Sequence, residues 1–233
     1  MGNCFPSRER SSVGMKGISS LSPEEKIIMQ CENKHIFSKK NFKDMSKSIK
    51  SESTNGYLSA PQLKRALLDL EISLDDLTSP DSSTYHLLIK AKNEKNLYEV
   101  RKLNLICIFL GIGTLSDKCD WLFRQYDTDA SLELDSTEFL VMVQEIFDVC
   151  SRILPILSVG EGVCSLTQEQ YQNYSKMLLE GKPGAIDEVE REFKAVGFVN
   201  SEIFAKVFTE NPCLSQLLNS TLVREMMRKH STH

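Results

Sequence analysis

Residues 127–138 read DTDASLELDSTE, and this acidic stretch carries oxygen-bearing side chains at fixed offsets. Counted as a twelve-residue loop, positions 1, 3, 5, 7, 9 and 12 are Asp127, Asp129, Ser131, Glu133, Asp135 and Glu138. A loop of this spacing can bind Ca²⁺, which takes six to eight oxygen ligands, with a closing bidentate glutamate at position 12. The residue at position 7, Glu133, would contribute its backbone carbonyl. The spacing therefore predicts one calcium site.

Two apolar positions within the loop carry further predictions. Leu132 occupies position 6, where glycine is usual because the chain turns there with positive φ. A γ-branched side chain reaches that conformation only with strain, so we expect weak or distorted binding, which Leu132→Gly should tighten. Leu134, at position 8, is expected to form a short strand pair with a neighbouring loop and to point into the core.

Amphipathic helices are predicted on both sides of this loop. The apolar residues recur with helical spacing, as Cys119, Leu122, Phe123 and Tyr126 before it and as Phe139, Met142, Val143, Ile146 and Cys150 after it. The second run continues to Pro155, which predicts helices over residues 115–126 and 136–153. The alternative is an acidic surface turn between core helices. Turn composition alone does not dictate four carboxylates at set offsets, so the loop interpretation is favoured.

Residues 118–150, KCDWLFRQYDTDASLELDSTEFLVMVQEIFDVC, resemble an EF-hand. More narrowly, they are similar to the third hand of the neuronal-calcium-sensor and calcineurin-B-like group. The likeness includes the Tyr126-Asp127 and Glu138-Phe139 pairs, and the preceding Gly113-Thr114 resembles the linker ahead of that hand. The resemblance implies an all-α fold of four EF-hand-like helix-loop-helix units in two lobes, with short β pairings between loops.

Three further loops fit the repeat with degenerate ligands. Residues 51–62 retain Asn55, the turn glycine Gly56 and an apolar Leu58 at position 8, but Gln62 replaces the closing glutamate. The loop at 91–102 has lysines where acids belong, and Tyr98 takes its apolar position. The loop at 193–203 has Gly197 at the turn, Val199 at the apolar position and Ile203 where the closing acid belongs. No calcium is expected in these three loops, because the bidentate carboxylate is missing.

Composition and charge are those of an ordinary globular protein, and the resemblance implies the domain organisation. The 233-residue chain is 41% hydrophobic and 26% charged with a net charge of −4, an ordinary globular balance that does not indicate nucleic-acid binding. Two lobes are predicted, over residues 22–112 and 115–222. A flexible N-terminal segment at residues 1–20 precedes them, and a solvated tail at residues 223–233 follows them. Between the last two loops, a helix over 167–179 is expected to lie between glycine-containing breakers at 158–165 and 181–184.

Cysteine usage indicates a reducing, cytoplasmic compartment. The seven cysteines are odd in number, are widely spaced and include no C-x-x-C pair, so we expect reduced thiols. Three of them, Cys107, Cys119 and Cys150, fall on apolar stripes and are predicted to lie in the core. The longest apolar run, at 103–113, is about half of the roughly 20 residues that a membrane-spanning helix needs.

The first four residues, MGNC, are typical of an acylated protein. Gly2 would carry a myristoyl chain and Cys4 a palmitoyl chain, and two chains together anchor a protein stably at a membrane surface. Pro6 stands where the myristoylation pattern has serine or threonine. An unmodified N-terminal tail is therefore the alternative to peripheral membrane association.

No catalytic arrangement is found in the sequence. None of the four histidines lies near a serine, cysteine or acid in a nucleophile or metal motif. The Gly111-Ile112-Gly113 stretch begins a dinucleotide-like pattern, but Ser116 occupies the place of the third glycine. We therefore expect a protein that is not an enzyme.

Two functions remain in competition, and a regulatory subunit of a kinase, phosphatase or channel is a third possibility that differs from the first mainly in how permanently the partner is bound. The first is a calcium sensor in which binding opens an apolar groove for a target helix, lined by Phe123, Phe139, Met142 and Val143. The second is a calcium-independent scaffold or adaptor in a cytoskeletal or ciliary assembly, favoured by the three degenerate loops and by Leu132 in the remaining one. Calcium binding by residues 127–138 separates the two.

Overall fold

The computed structural model describes residues 21–160, 165–197 and 199–231, and this part of the chain is mostly helical, with 73% of it in helices. The α-helices are α1 (Pro23–Lys34), α2 (Phe42–Glu52), α3 (Ala60–Leu68), α4 (Leu74–Thr78), α5 (Ser83–Lys90), α6 (Val100–Leu110), α7 (Leu115–Tyr126), α8 (Ser136–Asp148), α9 (Gln168–Val196), α10 (Ser201–Glu210) and α11 (Ser220–His230). Short 3₁₀ helices cover Ile36–Lys39, Leu154–Ser158 and Leu214–Leu218. The mostly helical fold predicted from the sequence is confirmed.

Two small antiparallel sheets join the loops in pairs. The strands are β1 (Tyr57–Leu58), β2 (Tyr98–Glu99), β3 (Glu133–Leu134) and β4 (Val199–Asn200), with β1 paired to β2 and β3 paired to β4. Leu58 faces Tyr98 in the first sheet, and Leu134 faces Val199 in the second. The apolar positions assigned in all four loops therefore meet in pairs, as predicted.

Side-chain caps fix the start of the helices on both sides of the acidic loop. Thr114 accepts a hydrogen bond from the backbone N–H of Asp117 and begins α7. Asp135 accepts from the backbone of Thr137 and Glu138 and begins α8. The side chain of Glu138 reaches back to the N–H of Asp135, which completes a capping box. After Asp148 the chain continues as a π-helical turn over Val149–Ile153, so the predicted helix at 136–153 has the expected extent.

The predicted apolar stripes form the core. On α7 and α8 the stripe residues are all buried, among them Phe123, Phe139 and Ile146. The cysteines Cys107, Cys119 and Cys150 are buried as predicted. Burial raises the pKa of both Cys107 and Cys119 to about 12, because a thiolate is poorly solvated in apolar surroundings. These thiols act as small apolar core residues.

The predicted helix break at residues 181–184 is wrong, because α9 continues from Gln168 to Val196 with Pro183 inside it. Gly181 does not interrupt this helix but allows α11 to approach it. A Cβ on Gly181 would lie 1.8 Å from the carbonyl oxygen of Met227, far inside van der Waals contact. Packing against α11 outweighs the hydrogen bond that Pro183 cannot donate.

The predicted tail over residues 223–233 is corrected in the same region. Ser220–His230 form α11, so the expected boundary after residue 222 falls inside a helix. Val223, Met226 and Met227 of this helix are buried. Helix α1, assigned to the first lobe, packs against α9 and the turn Leu154–Ser158 of the second. The two halves of the chain therefore share a packed interface.

Candidate metal centre

The acidic loop connects the C-terminal end of α7 to the N-terminal end of α8. Asp127 ends α7, with its backbone N–H donating to the carbonyl of Phe123 at 2.9 Å. Glu138 lies in the first turn of α8, and Leu134 between them is buried against the core. The loop is therefore fixed at both ends and at one internal side chain, while its polar side chains face solvent.

Three of the predicted ligands converge on one point. One carboxylate oxygen each from Asp127, Asp129 and Glu138 lie within 4.8 Å of one another. Ligands on opposite sides of a Ca²⁺ ion lie about 4.6–5.2 Å apart, because each Ca–O distance is about 2.3–2.6 Å. The spacing of these oxygens fits a single calcium ion in the middle of the loop.

Two further predicted ligand atoms, the hydroxyl oxygen of Ser131 and the carbonyl oxygen of Glu133, lie beside this cluster. The hydroxyl of Ser131 lies 2.9 Å from the carbonyl oxygen of Glu133, to which it donates, and 3.5 Å from a carboxylate oxygen of Asp127. The side chain of Glu133 is exposed, and its binding through the carbonyl stays a prediction. Five of the six predicted positions therefore lie in or beside one oxygen-rich cluster.

Asp135 has a different role in the structure. One of its carboxylate oxygens accepts the backbone N–H groups of Thr137 at 2.7 Å and Glu138 at 2.8 Å, which caps α8. It lies outside the three-carboxylate cluster. In twelve-residue calcium loops the residue at position 9 often reaches the ion through a water molecule, so capping and indirect ligation are compatible.

The closing glutamate is engaged by hydrogen bonds within the loop. Oε1 of Glu138 accepts the backbone N–H of Thr128 at 2.7 Å and its hydroxyl at 2.8 Å. Oε2 accepts the N–H of Asp135 at 3.4 Å. Sequence reasoning did not anticipate Thr128, although a hydroxyl at position 2 is the feature that could have indicated it. Bidentate binding of an ion by Glu138 requires these hydrogen bonds to rearrange.

Leu132 adopts the backbone conformation that a glycine would normally provide. Its φ is +65°, its side chain is 71% exposed, and its N–H donates to Oδ2 of Asp127 at 3.2 Å. The positive φ predicted for position 6 is confirmed. This left-handed conformation costs a side-chain-bearing residue roughly 1–2 kcal/mol.

The hydrogen bonds of Ser131 also affect the charge of the site. Its side chain and backbone N–H lower the pKa of Asp129 below the ordinary aspartate value. Asp129 is therefore ionised at neutral pH, which is the form that ligates a hard cation.

The first loop shows how a degenerate loop closes without a carboxylate. Gln62, at position 12, accepts the N–H of Ser59 at 2.8 Å through its amide oxygen. Its amide nitrogen donates to the carbonyl of Glu52 at 2.8 Å and to the hydroxyl of Thr54 at 3.2 Å. A neutral amide thus links the two ends of this loop by hydrogen bonds alone.

The predicted target groove is covered in this structure, and its opening by calcium stays a prediction. The four residues proposed to line it, Phe123, Phe139, Met142 and Val143, are at most 2% exposed. Phe193 of α9 stacks on Phe139 with ring centroids 3.5 Å apart, and Phe204 of α10 contacts Phe123 edge-on at 5.7 Å. Side chains of the chain's own α9 and α10 therefore cover this surface.

The predicted acylation sites Gly2 and Cys4 lie outside the described residues. Within the part of the chain that the structure describes, no helix has the length and apolar character needed to cross a membrane.

Comparison of the chain with models of known protein families and with curated proteins gives no match. The functional assignment therefore depends on the geometry of this chain's own residues.

Proposed function

We propose that this protein is an EF-hand-type calcium-binding regulatory protein that binds one Ca²⁺ through residues 127–138. The observation that carries the proposal is the convergence of Asp127, Asp129 and Glu138 within 4.8 Å. The pairing of the same loop with a second loop, through Leu134 and Val199, supports an EF-hand unit. Under this proposal, the four paired loops are four hands, of which only the third retains calcium ligands.

The ligand set follows from the positions of the oxygens. Asp127, Asp129 and Glu138 would bind through carboxylates, Ser131 through its hydroxyl and Glu133 through its carbonyl, with Asp135 acting through water. A bound Ca²⁺ would neutralise the repulsion among three carboxylates. The affinity is expected to be weak, because Glu138 must give up its hydrogen bonds to Thr128.

A series of side-chain contacts connects the loop to the first half of the chain, and it begins at Tyr126, directly before Asp127. The hydroxyl of Tyr126 donates to Oε2 of Glu145 on α8 at 2.7 Å. Oε1 of the same glutamate pairs with Arg101 of α6 at 2.8 Å. Movement of Glu138 and α8 toward an ion would therefore act on α6 through a shared carboxylate.

A target helix would require the covered groove to open. Calcium binding would draw the start of α8 toward Asp127 and shift Phe139 relative to Phe193, with which it now stacks. The partner of this state would be an amphipathic protein helix, and nucleic acid is not an expected partner. Acylation at Gly2 and Cys4 would add peripheral membrane association, which the intact mass of natively expressed protein tests.

Equilibrium dialysis against Ca²⁺ in the presence of millimolar Mg²⁺ tests the proposal. We expect one Ca²⁺ per chain at millimolar free calcium, accompanied by a change in the fluorescence of Trp121. This tryptophan lies on α7 and contacts Phe42 of α2 edge-on at 6.1 Å, so it reports movement of α7. Failure to retain calcium would contradict the proposal.

The second candidate function is a calcium-independent scaffold or adaptor of a cytoskeletal or ciliary assembly. The observation that favours it is that Oε1 of Glu138 accepts two hydrogen bonds from Thr128 and so links the two ends of the loop through protein groups, as Gln62 links those of the first loop. Under this alternative, Ca²⁺ changes neither the fluorescence of Trp121 nor the binding of any protein partner. The same dialysis experiment therefore separates the two candidates.

A further inference from the structure

A buried ionic cluster joins the first and last helices of the described chain. Arg224 of α11 is completely buried, and so is Glu25 of α1. The guanidinium donates from Nε and Nη2 to the two carboxylate oxygens of Glu25, both at 2.8 Å. It also donates from Nη1 to Oε1 of Glu32 at 2.8 Å. One arginine thus holds two carboxylates from a single face of α1.

The receiving surface on α9 and α11 carries further donors for the same carboxylates. Tyr174 of α9 donates its hydroxyl to Oε2 of Glu25 at 2.6 Å, and Ser220 of α11 donates to Oε2 of Glu32 at 2.8 Å. Burial and the neighbouring Glu25 carboxylate raise the pKa of Tyr174, so its hydroxyl remains a donor. Every carboxylate oxygen therefore meets a donor on this surface, which we call the Arg224 surface, defined by Arg224, Tyr174 and Ser220.

The buried face of α1 is unusually polar for a packed helix. Its buried residues are Glu25, Ile28 and Glu32, spaced i, i+3 and i+7, with Ile27 and Cys31 packed partly against the core. Ile28 is the one apolar side chain of this helix that is completely buried. Desolvation largely offsets the attraction in a buried ion pair, yet leaving one partner unpaired is costly. Docking of α1 is therefore selective for a helix that carries both carboxylates.

The position of α1 in the chain makes it separable from the rest of the fold. Within the described residues, α1 packs on α9 and on the turn Leu154–Ser158, and the chain leads from its C-terminal end to the other helices through His35 and Ile36–Lys39. Detaching it exposes the Arg224 surface and breaks no strand pairing. A helix of matching chemistry could then take its place.

We propose that the Arg224 surface is a docking site for an acidic amphipathic helix, and that α1 occupies it as an internal competitor. The partner it fits has two glutamates seven residues apart with an apolar residue three after the first, as in Glu25, Ile28 and Glu32. Helices lacking either carboxylate leave Arg224 without full pairing and are rejected. This binding is independent of calcium, so its failure would leave the proposed function of residues 127–138 intact.

The test uses a fluorescent peptide of residues 21–36 added to the full chain under reducing conditions. In the E25Q/E32Q chain, the internal helix is weakened while Arg224 remains. We expect the peptide to bind this variant at least about tenfold more tightly than wild type, because less of the surface is occupied internally. The E24Q chain, altered at the neighbouring acid, should bind as wild type does. A peptide in which the residues corresponding to Glu25 and Glu32 are replaced by glutamine should not bind.

Hydrogen exchange of the wild-type chain provides a second, independent measurement. If α1 detaches locally, its amides exchange faster than those of α9 and α11, whose packing persists. Addition of the unlabelled peptide should increase this exchange further. The proposal is overturned if α1, α9 and α11 exchange in one global event, or if the peptide binds wild type and E25Q/E32Q equally or binds neither.

Discussion

Leu134 and Val199 face each other across a two-residue antiparallel pairing, and both side chains are buried. This contact holds the acidic loop against the loop that follows α9. Because Leu134 lies between the ligand positions Glu133 and Asp135, the contact also fixes the backbone that presents them. The loop therefore has one rigid internal point in addition to its two helix ends.

Truncation of Leu134 should destabilise the fold far more than truncation of its near neighbour Leu132. Leu134 is 1% exposed and Leu132 is 71% exposed. Leu134→Ala is expected to lower the free energy of unfolding by about 2–4 kcal/mol, and Leu132→Ala by less than about 0.5 kcal/mol. Urea unfolding monitored by circular dichroism measures both. Equal effects of the two variants would contradict the observed orientation of the loop.

Leu132→Gly should stabilise the fold without changing calcium affinity. The φ of +65° and the hydrogen bond from the Leu132 N–H to Asp127 belong to the turn of the loop itself, so we expect the same strain in the free and the bound chain, and glycine would relieve it in both. Relief of roughly 1–2 kcal/mol, less about 0.5–1 kcal/mol for the greater freedom of glycine in the unfolded chain, leaves a small net gain. This expectation revises the tighter binding predicted from the sequence. Calorimetric titration showing a large gain in affinity would favour the earlier prediction.

Gly181→Ala should separate α9 from α11. The new Cβ would lie 1.8 Å from the carbonyl oxygen of Met227, so the backbone of one helix must move. We expect a loss of about 1–3 kcal/mol in the free energy of unfolding, despite the better helix propensity of alanine. Gly160→Ala is the control, because among the described residues the nearest atom, apart from its chain neighbours, would lie 3.8 Å from the new Cβ. A thermal melt of each variant gives the comparison.

Acidification should destabilise the protein through His35. Burial lowers its pKa from 6.5 to about 4, opposed by Asp76. Its Nδ1 accepts the N–H of Phe37 at 3.3 Å, which requires an unprotonated nitrogen. His35 therefore binds a proton more readily in the unfolded chain than in the folded one. Its contribution to the free energy of unfolding is fully present above pH 6.5 and is lost as the pH falls toward 4. The loss amounts to about 3 kcal/mol.

The measurement that checks this prediction is the slope of the free energy of unfolding against pH between pH 4 and 6.5, compared among the wild type and two variants. His35→Gln should reduce the slope, whereas His86→Gln, which replaces an exposed histidine, should leave it unchanged. Identical slopes for the wild type and His35→Gln would show that His35 titrates normally in the folded protein.

Local patterns predicted the parts of the fold that depend on neighbouring residues. Helical spacing located the stripes on α7 and α8, and loop counting located Leu58, Tyr98, Leu134 and Val199 at their paired positions. The positive φ of Leu132 also followed from its place in the loop. These features are set within a dozen residues, which is the range over which sequence periodicity is informative.

Features that depend on distant partners were missed. Gly181 and Pro183 were interpreted as helix breakers, because the approach of Met227 is not visible in the local sequence. The burial of Arg224 also went unrecognised, since its partner Glu25 lies at the opposite end of the chain. The covering of the predicted groove by α9 and α10 was also missed, because nothing near Phe139 in the sequence indicates that Phe193 stacks on it.

Calcium titration of Glu138→Gln beside Glu133→Gln tests the central claim most directly. The two variants remove the same charge from the same loop, but only Glu138 is proposed to bind through its carboxylate, as Glu133 would use its carbonyl. Isothermal calorimetry should show that Glu138→Gln abolishes binding while Glu133→Gln stays within about threefold of wild type. Unchanged affinity in Glu138→Gln, or equal loss in both variants, would contradict a calcium site at residues 127–138.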